Sequence, residues 1–201
     1  MKIWTLIAAL ALLPGCGDNG GDEGGSSDSG LTETTNTPTT GGTEDDETKV
    51  PPTDGHDAMQ AWLMAGHYKS WKCETGVQEP ITISPHGKQR ICSNGILSAH
   101  TEATEYPVDS SAVKELYDEA GAKIVGYAVY RHVKAGPDGG SWYWYEQLPL
   151  DHPAKPDPVT GVIADGLGDS GNAMSICVGC HMGTGSDADH PGHDFVYEQI
   201  K

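Results

Sequence analysis

The chain has 201 residues, with 12 Lys and Arg against 29 Asp and Glu, for a formal net charge of −17. The few cations do not cluster into a stripe, which excludes a nucleic-acid partner. Its 27 glycines and 13 prolines exclude a bundle of long helices.

Met1 and Lys2 open the chain with one positive charge, and Ile3 to Leu13 is an apolar run. At roughly eleven residues it is too short to span a bilayer as a stable anchor and reads as the core of an export signal. It ends in Leu13-Pro14-Gly15-Cys16, which resembles the lipobox of bacterial lipoproteins, with Pro14 an unusual occupant of its place. Residues 1–16 are thus expected to be a lipoprotein signal peptide, with Cys16 the lipidated first residue of the mature protein. An ordinary signal peptide cut nearby is the alternative. Gly17 follows, where an acidic residue would favour the inner membrane. The expected place is the bacterial outer membrane, on its periplasmic side or at the cell surface, held through lipid alone.

Residues 17–55 read as a tether. They are rich in Gly, Ser, Thr, Asp and Glu, and Leu31 and Val50 are nearly their only large apolar side chains. Such a segment cannot bury enough surface to offset its ordering entropy. Lys49 is the single base among Asp18, Asp22, Glu23, Asp28, Glu33, Glu44, Asp45, Asp46 and Glu47. Self-repulsion keeps such a stretch extended. Pro51-Pro52 closes it, and residues 56–201 are enough for one domain with its own core.

Within that domain a helix is expected over Asp54 to Ser70, capped by Asp54, with Ala58, Ala61, Trp62 and Ala65 at helical spacing. Pro80 to Asn94 reads as strands broken by Pro85 and Gly87, and Ala112 to Asp118 as a short strand turned at Glu119-Ala120-Gly121. Lys123 to Lys134 is rich in Val, Ile and Tyr, as a central strand should be. After a turn at Gly136–Gly140, Ser141 to Leu148 places Trp142 and Trp144 on one face and Tyr143 and Tyr145 on the other. Pro149 to Gly168 reads as an irregular excursion, a short helix starts near Asp169, and His193 to Ile200 closes as a strand. The whole is mainly β, of the α+β class.

The helix from Asp169 leads into Cys177-Val178-Gly179-Cys180-His181. Two thiols on one helical turn can add to the two vinyl groups of a single haem, and the adjoining imidazole then lies beneath the iron as its axial ligand. A zinc half-site would want further Cys or His at matched spacing, and a redox CxxC does not explain the adjoining His. One covalent haem c is therefore expected on Cys177 and Cys180, with His181 on the iron. Cys73 and Cys92 then remain as a pair. In an oxidising compartment they are expected to form a disulfide, with two independent thiols as the alternative.

Electron-transfer cytochromes c carry this motif near their start, with a Met ligand far downstream. Here the only downstream Met is Met182, beside His181 itself. The iron is thus left without an obvious second protein ligand. Period-two alternation over Ala112 to Tyr117 puts Lys114 on the face of Ala112 and Leu116. Lys114 is read either as a lysine snorkelling to a sheet edge or as a desolvated, nucleophilic amine. His86, His100, His132 and Met174 could approach the iron but read as structural side chains. Asp187, Asp189, His190, His193 and Asp194 crowd one loop, where a solvated acidic surface competes with a metal site.

Tyr106-Pro107 through Val113-Lys114-Glu115-Leu116, Gly140-Ser141-Trp142-Tyr143-Trp144-Tyr145, the haem motif and Asp194-Phe195-Val196-Tyr197 follow one another in an order that resembles the cytochrome P-460 and cytochrome c′-β family. The resemblance covers residues 80–201. It implies an antiparallel sheet with a few short helices, a homodimer, and a five-coordinate haem open to hydroxylamine or nitric oxide. It also implies a bond between Lys114 and the porphyrin rim, as in the cytochromes P-460. Hydroxylamine-oxidising members carry a carboxylate a few residues before the motif, where this chain offers Asn172, with Asp169 the nearest acid. The expected activity is binding or oxidation of small nitrogen species, with an electron-accepting cytochrome as partner. The alternative is a lipid-anchored electron-transfer cytochrome c.

Overall fold

A computed structural model describes residues 50–80, 86–101, 105–183, 195, 196 and 200. The expected signal peptide, Cys16, the expected tether up to residue 49 and residues 187–194 lie outside the described residues. Among the described residues six antiparallel strands form one sheet in chain order: β1 Lys72–Cys73, β2 Gln89–Ser93, β3 Ser111–Tyr117, β4 Ile124–His132, β5 Trp142–Gln147 and β6 Val162–Leu167. Short helices complete it: α1 His56–Ala65, α2 Gly95–Ala99 and α3 Gly179–His181, the last preceded by a π-helical turn at Ala173–Val178. No helix among the described residues is long and apolar enough to cross a membrane.

Alternation along the strands sorts side chains into two cores. Met59, Trp62 and Leu63 of α1 pack on Cys92, Val113, Val129, Tyr143 and Tyr145. On the opposite face Ile91, Ala112, Trp142, Trp144 and Ala164 pack beneath Ala173 and Cys177. The helix carrying the cysteine motif and helix α1 therefore cover opposite faces of one sheet. At the sheet's short edge Cys73 and Cys92, register partners of β1 and β2, are joined by a disulfide.

Several expected elements differ. The first helix starts at His56 with Gly55 as its N-cap, and Asp54 makes no side-chain cap. It stops at Ala65 because Gly66 turns left-handed, at φ 75°, and its N–H returns to the Leu63 carbonyl; a 3-10 turn over His67–Ser70 replaces the expected last turn. The excursion from Pro149 to Gly168 contains strand β6, hydrogen-bonded to β5. Helix α2 was not expected; the Asn94 side chain caps it by accepting from the Leu97 N–H at 2.9 Å. Most of the expected closing strand, His193 to Ile200, lies outside the described residues; within it Phe195 has a left-handed φ of 59° and is not part of a strand. The domain also begins before residue 56. Pro51 is fully buried and its carbonyl accepts from Arg131 Nη1 at 2.8 Å, so the last residues assigned to the tether belong to the folded body.

Candidate functional site

The motif helix is seated by close approach to glycine. A Cβ on Gly139 would fall 2.5 Å from both methyls of Val178, and one on Gly168 would fall 2.5 Å from Val178 and 2.2 Å from the Gly139 carbonyl. Val178, between the two cysteines, thus fills a socket that only glycines leave open. Asn172 Nδ2 ties the start of the same helix to β6 by donating to the Ile163 carbonyl at 2.8 Å. Asp169 packs against Gly140.

This seating turns Cys177, Cys180 and His181 toward a cleft over the sheet. Its walls include Lys114 of β3, Ala128 and Tyr130 of β4, Trp144 and Glu146 of β5, and His86 from the loop before β2. Lys114 is half-buried and stands in a central strand, so it lines this cleft instead of a sheet edge. The register runs Ile91, Lys114, Ala128, Glu146, Ala164 across five strands. Two long charged side chains therefore rise from a floor of alanine. Cys177 is buried and Cys180 exposed.

His181 packs edge-on to Trp144, with ring centres 4.8 Å apart, and to Tyr130 at 6.1 Å. Its Nδ1 lies 2.7 Å from the Phe195 carbonyl oxygen. A carbonyl only accepts, so Nδ1 carries the proton and Nε2 keeps its lone pair. Burial pushes this imidazole down to about 4, the Phe195 carbonyl opposing and nearby Lys114 and His86 adding to the shift. Burial likewise pushes the Cys177 thiol well up, with the charge of Glu146 acting in the same sense.

These features test the chemistries that the motif allows. A neutral imidazole whose second nitrogen is held by a carbonyl is the form that ligates iron. A redox CxxC needs a thiolate at lowered pKa, the reverse of the Cys177 environment. Among the described residues no three His, Cys, Asp or Glu side chains gather to hold a metal ion. Thiol spacing and His tautomer fit a c-type haem. The cleft itself encloses about 60 Å³, so a macrocycle bonded to both thiols requires the motif helix to stand farther from the sheet than it does here.

Other expected residues separate. His132 is buried against Trp142, ring centres 4.6 Å apart, with Nε2 3.3 Å from Glu105, and His100 packs on Tyr106 at 4.5 Å. Met174 is exposed. Asn172 and Asp169 do not line the cleft, whereas His86 and Glu146 do. Glu146 is the residue that sequence reasoning missed, although alternation from Trp142 and Trp144 already set it on their face. No family model, curated protein or solved structure matches this chain.

Proposed function

We propose that this is an exported, lipid-anchored c-type haem protein with an open iron site that binds or oxidises small nitrogen species. A haem would be held by thioethers at Cys177 and Cys180 and by His181 Nε2 on its iron. The observation that carries this reading is the contact of His181 Nδ1 with the Phe195 carbonyl, in a motif helix facing Lys114 across one cleft. Bound there, a haem supplies an iron that coordinates hydroxylamine or nitric oxide and exchanges electrons with a partner cytochrome. The chain's own residues would hold it, with the His181 imidazole oriented by the Phe195 carbonyl and Trp144, Tyr130 and Ile91 lining the cleft. On the same reading Lys114, which lines the cleft, would bond the porphyrin rim, as the resemblance to the cytochromes P-460 implies.

Acid–acetone extraction tests the attachment: haem should stay on the polypeptide, and Cys177→Ala with Cys180→Ala should release it. Complete extraction from the wild type sinks the reading. For the anchor, Cys16→Ser should free the protein from membranes or stop its processing.

A lipid-anchored electron-transfer cytochrome is the second reading. His86 favours it, since its imidazole stands in the cleft wall and could complete six-coordination. Visible spectra of the ferric and ferrous protein separate five-coordinate from six-coordinate iron.

A further inference from the structure

The cleft carries a carboxylate to which the haem reading gives no task. The Glu146 side chain is only 7% exposed, among apolar neighbours that include Ile91, Ala112, Trp144 and Ile176. A buried carboxylate is costly unless a partner compensates it. Here His86 Nδ1 lies 3.0 Å from Glu146 Oε1. Ala128, the register partner of Glu146 in β4, also lines the cleft, and its short side chain leaves the two polar groups facing the open space.

We propose that Glu146 positions His86 as the hydrogen-bond acceptor by which this cleft selects protic small ligands, such as hydroxylamine, over aprotic ones such as nitric oxide. The proposal rests on the haem-protein reading of the same site. The contact between Glu146 and His86 is an ion-pair approach and not an aligned hydrogen bond, and the negative charge beside Nδ1 favours the proton on that nitrogen, leaving Nε2 to accept. Hydroxylamine offers O–H and N–H donors, and nitric oxide offers none. The other titratable groups on the cleft walls cannot take the part as readily. Lys114 donates when charged, the Tyr130 hydroxyl is a weaker acceptor than an imidazole nitrogen paired with a carboxylate, and Cys177, Cys180 and His181 are committed to the haem. Asn172 spends its amide on the Ile163 carbonyl. The sheet therefore supplies the acceptor that the motif helix lacks.

The test titrates ferric wild type, Glu146→Gln and His86→Leu with hydroxylamine and with nitric oxide, following the Soret band, after haem content and far-UV circular dichroism are matched. Loss of an acceptor for a charge-assisted bond should weaken hydroxylamine binding about tenfold or more in both variants. Nitric oxide affinity should stay within about twofold, because no hydrogen bond from that ligand is lost. Glu146→Asp should recover part of the hydroxylamine affinity. Equal weakening of both ligands, or no change in their ratio, overturns the proposal. So does a six-coordinate wild type that becomes five-coordinate in His86→Leu, which would make His86 a ligand. If Glu146→Gln does not fold, His86→Leu alone decides. Wild type stripped of all haem by acid–acetone overturns the haem reading and this proposal with it. An unchanged ratio in haem-bearing protein overturns the proposal alone.

Discussion

His181 Nδ1 is held at 2.7 Å by the carbonyl of Phe195, a residue whose own φ is 59°. A side chain in that left-handed region costs about 1–2 kcal/mol, so the backbone is strained where it orients the imidazole. Strain of this kind gathers at sites where geometry matters. The Phe195 ring meanwhile packs edge-on to Trp144, centres 6.3 Å apart, which ties the carbonyl to the cleft wall.

If His181 Nε2 is the axial ligand, His181→Ala should keep haem through the two thioethers and change the visible spectrum. Added imidazole should restore it. A His181→Ala protein with the wild-type spectrum would show that another group ligates the iron.

Lys114 offers a separate measurement. Tryptic mapping of the wild type should find the Lys114 peptide joined to the Cys177–His181 peptide through haem. Lys114→Leu should keep haem and give an ordinary five-coordinate spectrum, without the red-shifted ferrous Soret band of the cross-linked form. Identical spectra from both proteins would mean that the bond is absent and that nitric oxide binding is the better description.

On the other face of the sheet, Glu115 is 1% exposed and accepts from the hydroxyls of Tyr68 and Tyr117, each at 2.8 Å, beside Arg90 Nε at 3.0 Å. Burial, reinforced by Glu115, pushes Tyr117 up to about 12 and Tyr68 higher still, and burial also pushes Tyr145 to about 12. Unfolded tyrosine titrates near 10, so above that pH the native state keeps protons that the unfolded state loses. The contribution to stability is full below pH 10 and falls away as pH rises through the folded values. Urea midpoints should therefore hold up to about pH 10 and then decline. Tyr68→Phe should cost about 1.5 kcal/mol at neutral pH, where it removes a hydrogen bond to a charged group, and should flatten the alkaline decline.

The Cys73–Cys92 disulfide closes a separation of 19 residues. Loop-closure entropy for that length gives about 3 kcal/mol. Urea unfolding of Cys73→Ala with Cys92→Ala should show a loss of that order, with the haem spectrum intact because the bond lies on the α1 side of the sheet. An unchanged midpoint would mean that the two thiols do not pair in solution.

Asn172 stands where the resemblance would place a carboxylate, yet its amide donates to the Ile163 carbonyl. Asn172→Asp removes that donor and sets an acceptor against an acceptor, at about 1 kcal/mol. It should lower stability without raising hydroxylamine turnover, since Asn172 does not line the cleft. Raised turnover would place the motif helix differently from the arrangement described.

Strands β3, β4 and β5 were legible because each has a packed layer on both faces. Trp142 and Trp144 against Tyr143 and Tyr145 is the direct imprint of those two cores. Strand β6 was not, because prolines and glycines surround Val162-Ile163-Ala164 and only its pairing with β5 draws it straight. Helix α2 has five residues and depends on one Asn94 cap, too short a signal for periodicity. The cysteine motif was plain, and so was the face of Lys114. That Lys114, Glu146 and His86 meet is a product of strand register and one loop, which local patterns do not carry.

Thioether chemistry is indifferent to the two residues between the cysteines, but this fold is not. With Val178 lodged against Gly139 and Gly168, the sequence Cys-Val-Gly-Cys-His is also a steric key, and the glycines that match it lie at two distant places in the chain. Grafting another Cys-x-x-Cys-His segment with a bulky or charged second residue would keep both thiols and the imidazole and still misplace the helix that carries them. Design on this scaffold has to treat Val178, Gly139 and Gly168 as a single three-residue unit.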